Sequence, residues 1–136
     1  MTYPITDIEG IDAEAATILK SARIRSTARL LEEARTLRGR KRLALKTGLA
    51  EKQLLCWANM ADRMRVKGIR KEYAELLQAA GVDTVKELKY RNPANLAKAM
   101  AEANKKRKLV AFLPSEKVVG SWIEHAKKLQ LKITYK

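Results

Sequence analysis

Three short segments of the chain could bind an anion: Ile8-Glu9-Gly10-Ile11, Thr47-Gly48-Leu49 and Val66-Lys67-Gly68-Ile69, each with glycine beside apolar residues ahead of a helix-period stretch. Glycine there allows positive φ and close backbone approach. The helix that follows points unsatisfied N–H groups and the positive end of its dipole outward. A phosphate suits such a place. A fourth segment, Leu113-Pro114-Ser115, holds the equivalent position without a glycine. Basic side chains gather at three of the four. Lys67, Arg70 and Lys71 flank Gly68 and Ile69. Lys46 and Lys52 flank Thr47, Gly48 and Leu49, with Arg38, Arg40, Lys41 and Arg42 upstream. Lys105, Lys106, Arg107, Lys108 and Lys117 surround the fourth segment. These are the residues expected to contact nucleic acid.

Other chemistry has little to stand on. There is one histidine, His125, and one cysteine, Cys56, and no phosphate-loop, dinucleotide or paired-carboxylate signature. The expectation is therefore no catalytic residue, no metal site, no cofactor and no small-molecule substrate. His125 has no second histidine or cysteine at ligand spacing, so it is read as a surface or capping residue. Cys56, next to Trp57, is read as a buried or half-buried thiol. A lone cysteine cannot make an internal disulfide, which fits a reducing, cytoplasmic setting. No segment has the apolar length of a membrane span, and the acidic start of the chain, with Asp7, Glu9, Asp12 and Glu14, does not resemble a targeting signal.

Charge points to the partner. The formal net charge is +14, from 29 Lys and Arg against 15 Asp and Glu, more than solubility requires, so a polyanion is expected. The excess is concentrated. Residues 35–71 hold twelve basic against two acidic side chains and 105–136 hold nine against two, whereas 1–22 and 72–104 are net acidic. A merely solubilising surface would scatter its charge over every helix.

The elements that must position these groups are helical. Ala15, Ile18, Leu19 and Ala22 share one face, as do Leu30, Leu31, Ala34 and Leu37; Leu54, Trp57, Ala58 and Ala61; Tyr73, Leu76, Leu77 and Ala80; and Val119, Trp122, Ile123 and Ala126. Trp57 and Trp122, on these stripes, read as core anchors. Gly81 suits the left-handed position after a helix, Thr84 with Glu87 a capping box, and Asn92-Pro93 a helix start. Only residues 131–135 alternate as a strand would, and a single short strand makes no sheet. The stretch 131–136 is expected to be an extended tail.

The chain also repeats itself. At an offset of 58, Gly10/Gly68, Ile11/Ile69, Glu14/Glu72, Ala16/Ala74, Leu19/Leu77, Ala22/Ala80 and Leu30/Leu88 are identical. A weaker repeat aligns Trp57 with Trp122 at an offset of 65. The seven extra residues are placed most simply in the helix over 92–104. Two units are expected, 4–65 and 66–130, each a supersecondary unit used twice.

The order of these pieces, from Ile8-Glu9-Gly10-Ile11 through Leu45-Lys46-Thr47-Gly48-Leu49, Trp57 to Asp62, Lys67-Gly68-Ile69, Ala80 to Val85, Arg91-Asn92-Pro93 and Trp122-Ile123, resembles a bacterial family of small tandem helix-hairpin-helix proteins of unassigned function. The resemblance implies an all-α fold with two pseudo-twofold double helix-hairpin-helix units packed as one compact protein, a nucleic-acid-binding role and no enzymatic activity. The departures are informative. Asp12 and Arg70 stand where a second hairpin glycine would be, and Arg23 stands where Gly81 should have its mirror. An acid beside Glu9 and Glu14 favours N-capping and repels phosphate, so the first hairpin is expected to be structural; Arg70, between Lys67 and Lys71, favours the third for binding.

The function these features imply is sequence-nonspecific binding of duplex DNA through phosphates, in an architectural or nucleoid-associated role. Two alternatives stay open: a binder of structured or ribosomal RNA, and a protein adaptor with a basic docking face. The oligomeric state is not legible.

Overall fold

The computed structural model of the 136-residue chain describes residues 2–135. Among these it has one 3-10 turn, Ile5–Asp7, and eight α-helices: α1 Ala13–Ser21, α2 Thr27–Ala34, α3 Leu37–Thr47, α4 Glu51–Arg63, α5 Lys71–Ala79, α6 Val85–Lys89, α7 Pro93–Arg107 and α8 Glu116–Lys128. The fold is all-α. The backbone divides into two compact units, Met1–Asp62 with Lys132–Lys136, and Arg63–Leu131.

Local sequence explains the helix boundaries. Asp12, Ser26, Thr36, Thr84, Asn92 and Ser115 each stand at an N-cap and accept a hydrogen bond from a first-turn N–H, satisfying donors that have no intrahelical partner. Pro93 opens α7, where its missing N–H costs nothing. At α6 the box closes differently from the expectation: Thr84 Oγ1 accepts from Glu87 N–H and also donates to the Glu87 carboxylate, both at 3.0 Å.

The first unit buries Ile5, Ile8, Leu19, Ile24, Leu30, Leu31, Leu43, Leu54 and Trp57. The second buries Val66, Ile69, Leu77, Val82, Leu88, Leu96, Met100, Val119 and Trp122. The repeated pairs Ile11/Ile69, Ala16/Ala74, Leu19/Leu77 and Leu30/Leu88 are thus core positions in both copies. Cys56 departs from its expected burial and is exposed. It precedes Trp57 by one residue, about 100° around the helix, off the stripe that faces the core.

The backbone carries the repeat further than side-chain identity does. Gly10 and Gly68 have φ +91° and +94°. Arg23 has φ +66° where Gly81 has +96°. Arg23 N–H donates to Lys20 O (2.9 Å) and Ile24 N–H to Leu19 O (2.9 Å), and Gly81 and Val82 reproduce the pair with Gln78 O (3.0 Å) and Leu77 O (2.8 Å). Arg23 therefore adopts a glycine's conformation to end α1 as Gly81 ends α5.

The extra residues of the second half lie only in part in the expected helix. Gly48 and Lys108 are equivalent left-handed C-caps, their N–H groups donating to Ala44 O and Asn104 O at 2.8 Å. The helix before the cap has 11 residues in α3 and 15 in α7. The connection after the cap also grows, from 49–50 to 109–115, while α6 is shorter than α2. Asn104 organises that connection, accepting from Leu109 N–H and Val110 N–H and donating to Val110 O.

Candidate nucleic-acid interface

The four turns differ in what they leave open. Turn one ends in Asp12, whose carboxylate accepts from Ala15 N–H at 2.8 Å and occupies the α1 N-terminus. Turn three ends in Arg70, at the same position of α5, and its side chain makes no cap hydrogen bond. The α5 first turn is thus uncapped by side chains, with exposed Lys67 and Arg70 and half-buried Lys71 around it. An N-terminal dipole bordered by cations attracts an anion.

Turn three is also rigidly held. Ile69 is buried and its N–H donates to Val66 O (3.0 Å). Lys67 N–H donates to His125 Nδ1 (2.9 Å), so the one histidine braces the turn from α8. This is the capping role expected of it. The backbone donors of Lys67 and Ile69 are spent inside the protein. A ligand would meet Gly68 and the first turn of α5 instead.

At turn two, Gly48 has φ +78° and its N–H is committed to Ala44 O. Leu49 N–H donates to Thr47 Oγ1 (3.2 Å), and Thr47 Oγ1 donates to Leu43 O (2.7 Å). These amides are therefore unavailable to a phosphate. The helix that follows is different: Ala50 O accepts from Leu54 N–H (3.0 Å), and alanine has no side-chain acceptor for the first turn of α4. Lys46 and Lys52 are exposed beside it, as are Arg38, Lys41 and Arg42 on α3.

Arg40 is a correction. It is 2% exposed, and its guanidinium donates to Ala34 O through Nη1 (2.9 Å) and to Thr134 O through Nη2 (2.7 Å). Thr134 N–H in turn donates to Arg35 O (2.7 Å), and the Tyr135 ring lies 5.8 Å from the guanidinium. Arg40 pins the extended tail to the first unit and is not offered to a ligand. Burial holds its guanidinium below the usual value, with Tyr135 and Glu51 pulling the other way. Its place on α3, three residues before buried Leu43, was the available signal.

At turn four, Lys105, Lys106 and Arg107 occupy the last turn of α7, where cations are stabilised by the C-terminal dipole, and Lys105 pairs with Glu102 at 3.3 Å. Lys108 is the left-handed cap. Ser115 caps α8 through Val118 N–H (3.1 Å), so this N-terminus is closed, with Lys117 exposed on its first turn. The connection holds Phe112 outward, 83% exposed, while Tyr73 Oη donates to its carbonyl (3.1 Å).

The structure also gathers residues that sequence spacing did not. Arg23 and Arg29 join Arg42 and Lys46 around one cleft of about 420 Å³ in the first unit.

Residues 9–129 match the model of a domain of unknown function, DUF4332. The chain belongs to the DUF4332 family. No curated protein and no solved structure matches it. The matched span takes in all eight helices, the glycines of the three turns and both tryptophans of this DUF4332 chain. No helix among the described residues is long and apolar enough to cross a membrane.

Proposed function

We propose that this DUF4332 chain is a non-enzymatic nucleic-acid-binding protein built from two double helix-hairpin-helix units, which holds duplex DNA by its phosphates with little regard to sequence. Turn three carries the reading. Its glycine takes positive φ, its helix start lacks the side-chain cap that Asp12 supplies in the first copy, and Lys67, Arg70 and Lys71 stand around it. Turn two, with Lys46, Lys52, Arg38, Lys41 and Arg42, is the second contact. Neutralising phosphates with these cations releases condensed counterions, the main source of affinity in nonspecific binding. No helix carries the Asn, Gln and Arg array that would read base edges in a groove, so discrimination among sequences is poor. A cytoplasmic, nucleoid-associated protein of architectural or accessory role follows.

The test exchanges the caps. Arg70→Asp installs on α5 the carboxylate that closes α1, and fluorescence anisotropy with a short labelled duplex reads the effect. The expected loss is about tenfold in affinity, since one cation is removed and one anion added at the phosphate site. Unchanged affinity in Arg70→Asp contradicts the assignment of turn three. Tighter binding of a matched RNA duplex would favour the RNA reading, and binding only to an acidic protein the adaptor reading.

A further inference from the structure

A cleft in the first unit shares Arg42 and Lys46 with turn two but adds Arg23 and Arg29, cations that no turn uses. Arg23 from the end of α1, Arg29 from α2 and Arg42 and Lys46 from α3 line it, over an apolar floor that includes Ile24 and Leu43. Its one acid, Glu33, is engaged by Arg29 at 2.9 Å. Arg23, Arg42 and Lys46 have no acidic partner among the described residues. Three uncompensated cations around a single concavity repel one another and raise the local potential, so an anion that bridges them relieves that repulsion.

A second observation comes from the backbone. Arg23 holds φ +66° at the position where the other half uses glycine. An L-residue with a large side chain is strained there, and Arg23 lines the cleft. Close packing of α2 on α3 completes the site: a Cβ on Gly39 would lie 2.3 Å from Glu33 O, so only glycine lets the first turn of α3 come this near.

We propose that this cleft binds a phosphomonoester or polyphosphate group. Forked guanidinium donors match phosphoryl oxygens in pairs, and several cations suit a group with two or more negative charges better than a singly charged phosphodiester. The volume of about 420 Å³ lies within the usual range for small-ligand sites and exceeds what a lone phosphate fills. The ligand is either a free nucleoside polyphosphate or a 5′-phosphorylated nucleic-acid end, and the site does not depend on the turn reading, although Arg42 and Lys46 border both.

Isothermal titration of the full chain with ATP, pyrophosphate and adenosine, and with an oligonucleotide carrying either a 5′-phosphate or a 5′-hydroxyl, tests the proposal. ATP or the 5′-phosphorylated oligonucleotide should bind at least tenfold more tightly than adenosine or the 5′-hydroxyl form, respectively. ATP alone points to a free nucleotide and the oligonucleotide difference to a strand end. Arg23→Gly, which suits the backbone, and Arg42→Glu should each weaken that binding at least tenfold, with Lys98→Glu as a charge control that leaves it within twofold. Absence of binding by all phosphorylated probes, or equal losses in Lys98→Glu and the two cleft variants, overturns it.

Discussion

Gly68 lies against the indole of Trp122: a Cβ at residue 68 would stand 3.0 Å from Trp122 Nε1, and Gly10 repeats the relationship with Trp57 Nε1 at 3.2 Å. Each unit therefore seats its first glycine turn on the tryptophan of its own last helix. The glycines are needed twice over, for a positive φ and for the approach to the ring. Gly81 shares the positive φ of +96° but has nothing within 4 Å of a Cβ.

Alanine at these positions separates the two requirements. Gly81→Ala should cost about 0.5–1 kcal/mol, the left-handed penalty less the entropy that glycine loses on folding, and Gly68→Ala should cost more, because the indole must also shift. Urea denaturation of both variants measures the difference. Equal losses would mean that the Trp122 contact contributes nothing to the turn.

Arg23 offers the reverse case. Replacing it with glycine removes a left-handed penalty of about 1–2 kcal/mol at an entropic cost of about 0.5–1 kcal/mol. Arg23→Gly should thus raise stability by about 0.5–1 kcal/mol, read as an increase in the denaturation midpoint. A destabilised Arg23→Gly would show that the arginine side chain holds the α1–α2 turn through its own contacts.

Much of this architecture could be read from the chain because it is encoded locally. The 58-residue offset, the positive φ of Gly68 and Gly81, the Asn92-Pro93 start and the core places of Trp57 and Trp122 all depend on neighbours within a turn or two of helix. What escaped reading is non-local. Arg40 looks like part of a basic run until Thr134, 94 residues away, supplies a carbonyl for it. Arg23 stands out in sequence only as a missing glycine, Arg29 not at all, and neither is near Arg42 and Lys46 in the chain, though all four line one cleft. Cys56 is exposed although Trp57 beside it is buried, because helical geometry turns adjacent residues to different faces. The backbone donors of turns two and three were assigned to a ligand because hydrogen bonds such as Lys67 N–H to His125 Nδ1 have no sequence signature.

The tail clasp makes a further prediction. Arg40→Met removes the donors to Ala34 O and Thr134 O and should cost about 1–3 kcal/mol. Thr134→Pro deletes the N–H that reaches Arg35 O and should cost about 1 kcal/mol. Because both act on one clasp, the double variant should lose less than the two single losses combined, by about 0.5 kcal/mol or more. Strict additivity in the thermodynamic cycle would separate Arg40 from the tail.

In the proposed function, exposed cations around turns two and three hold phosphates. The most direct measurement is the affinity of the unaltered chain for a short DNA duplex as salt is raised from about 50 to 200 mM. Engagement of four or more phosphates predicts a loss of about a hundredfold or more across that range, with log affinity falling linearly against log salt. An affinity that scarcely changes over the same range would contradict the phosphate account.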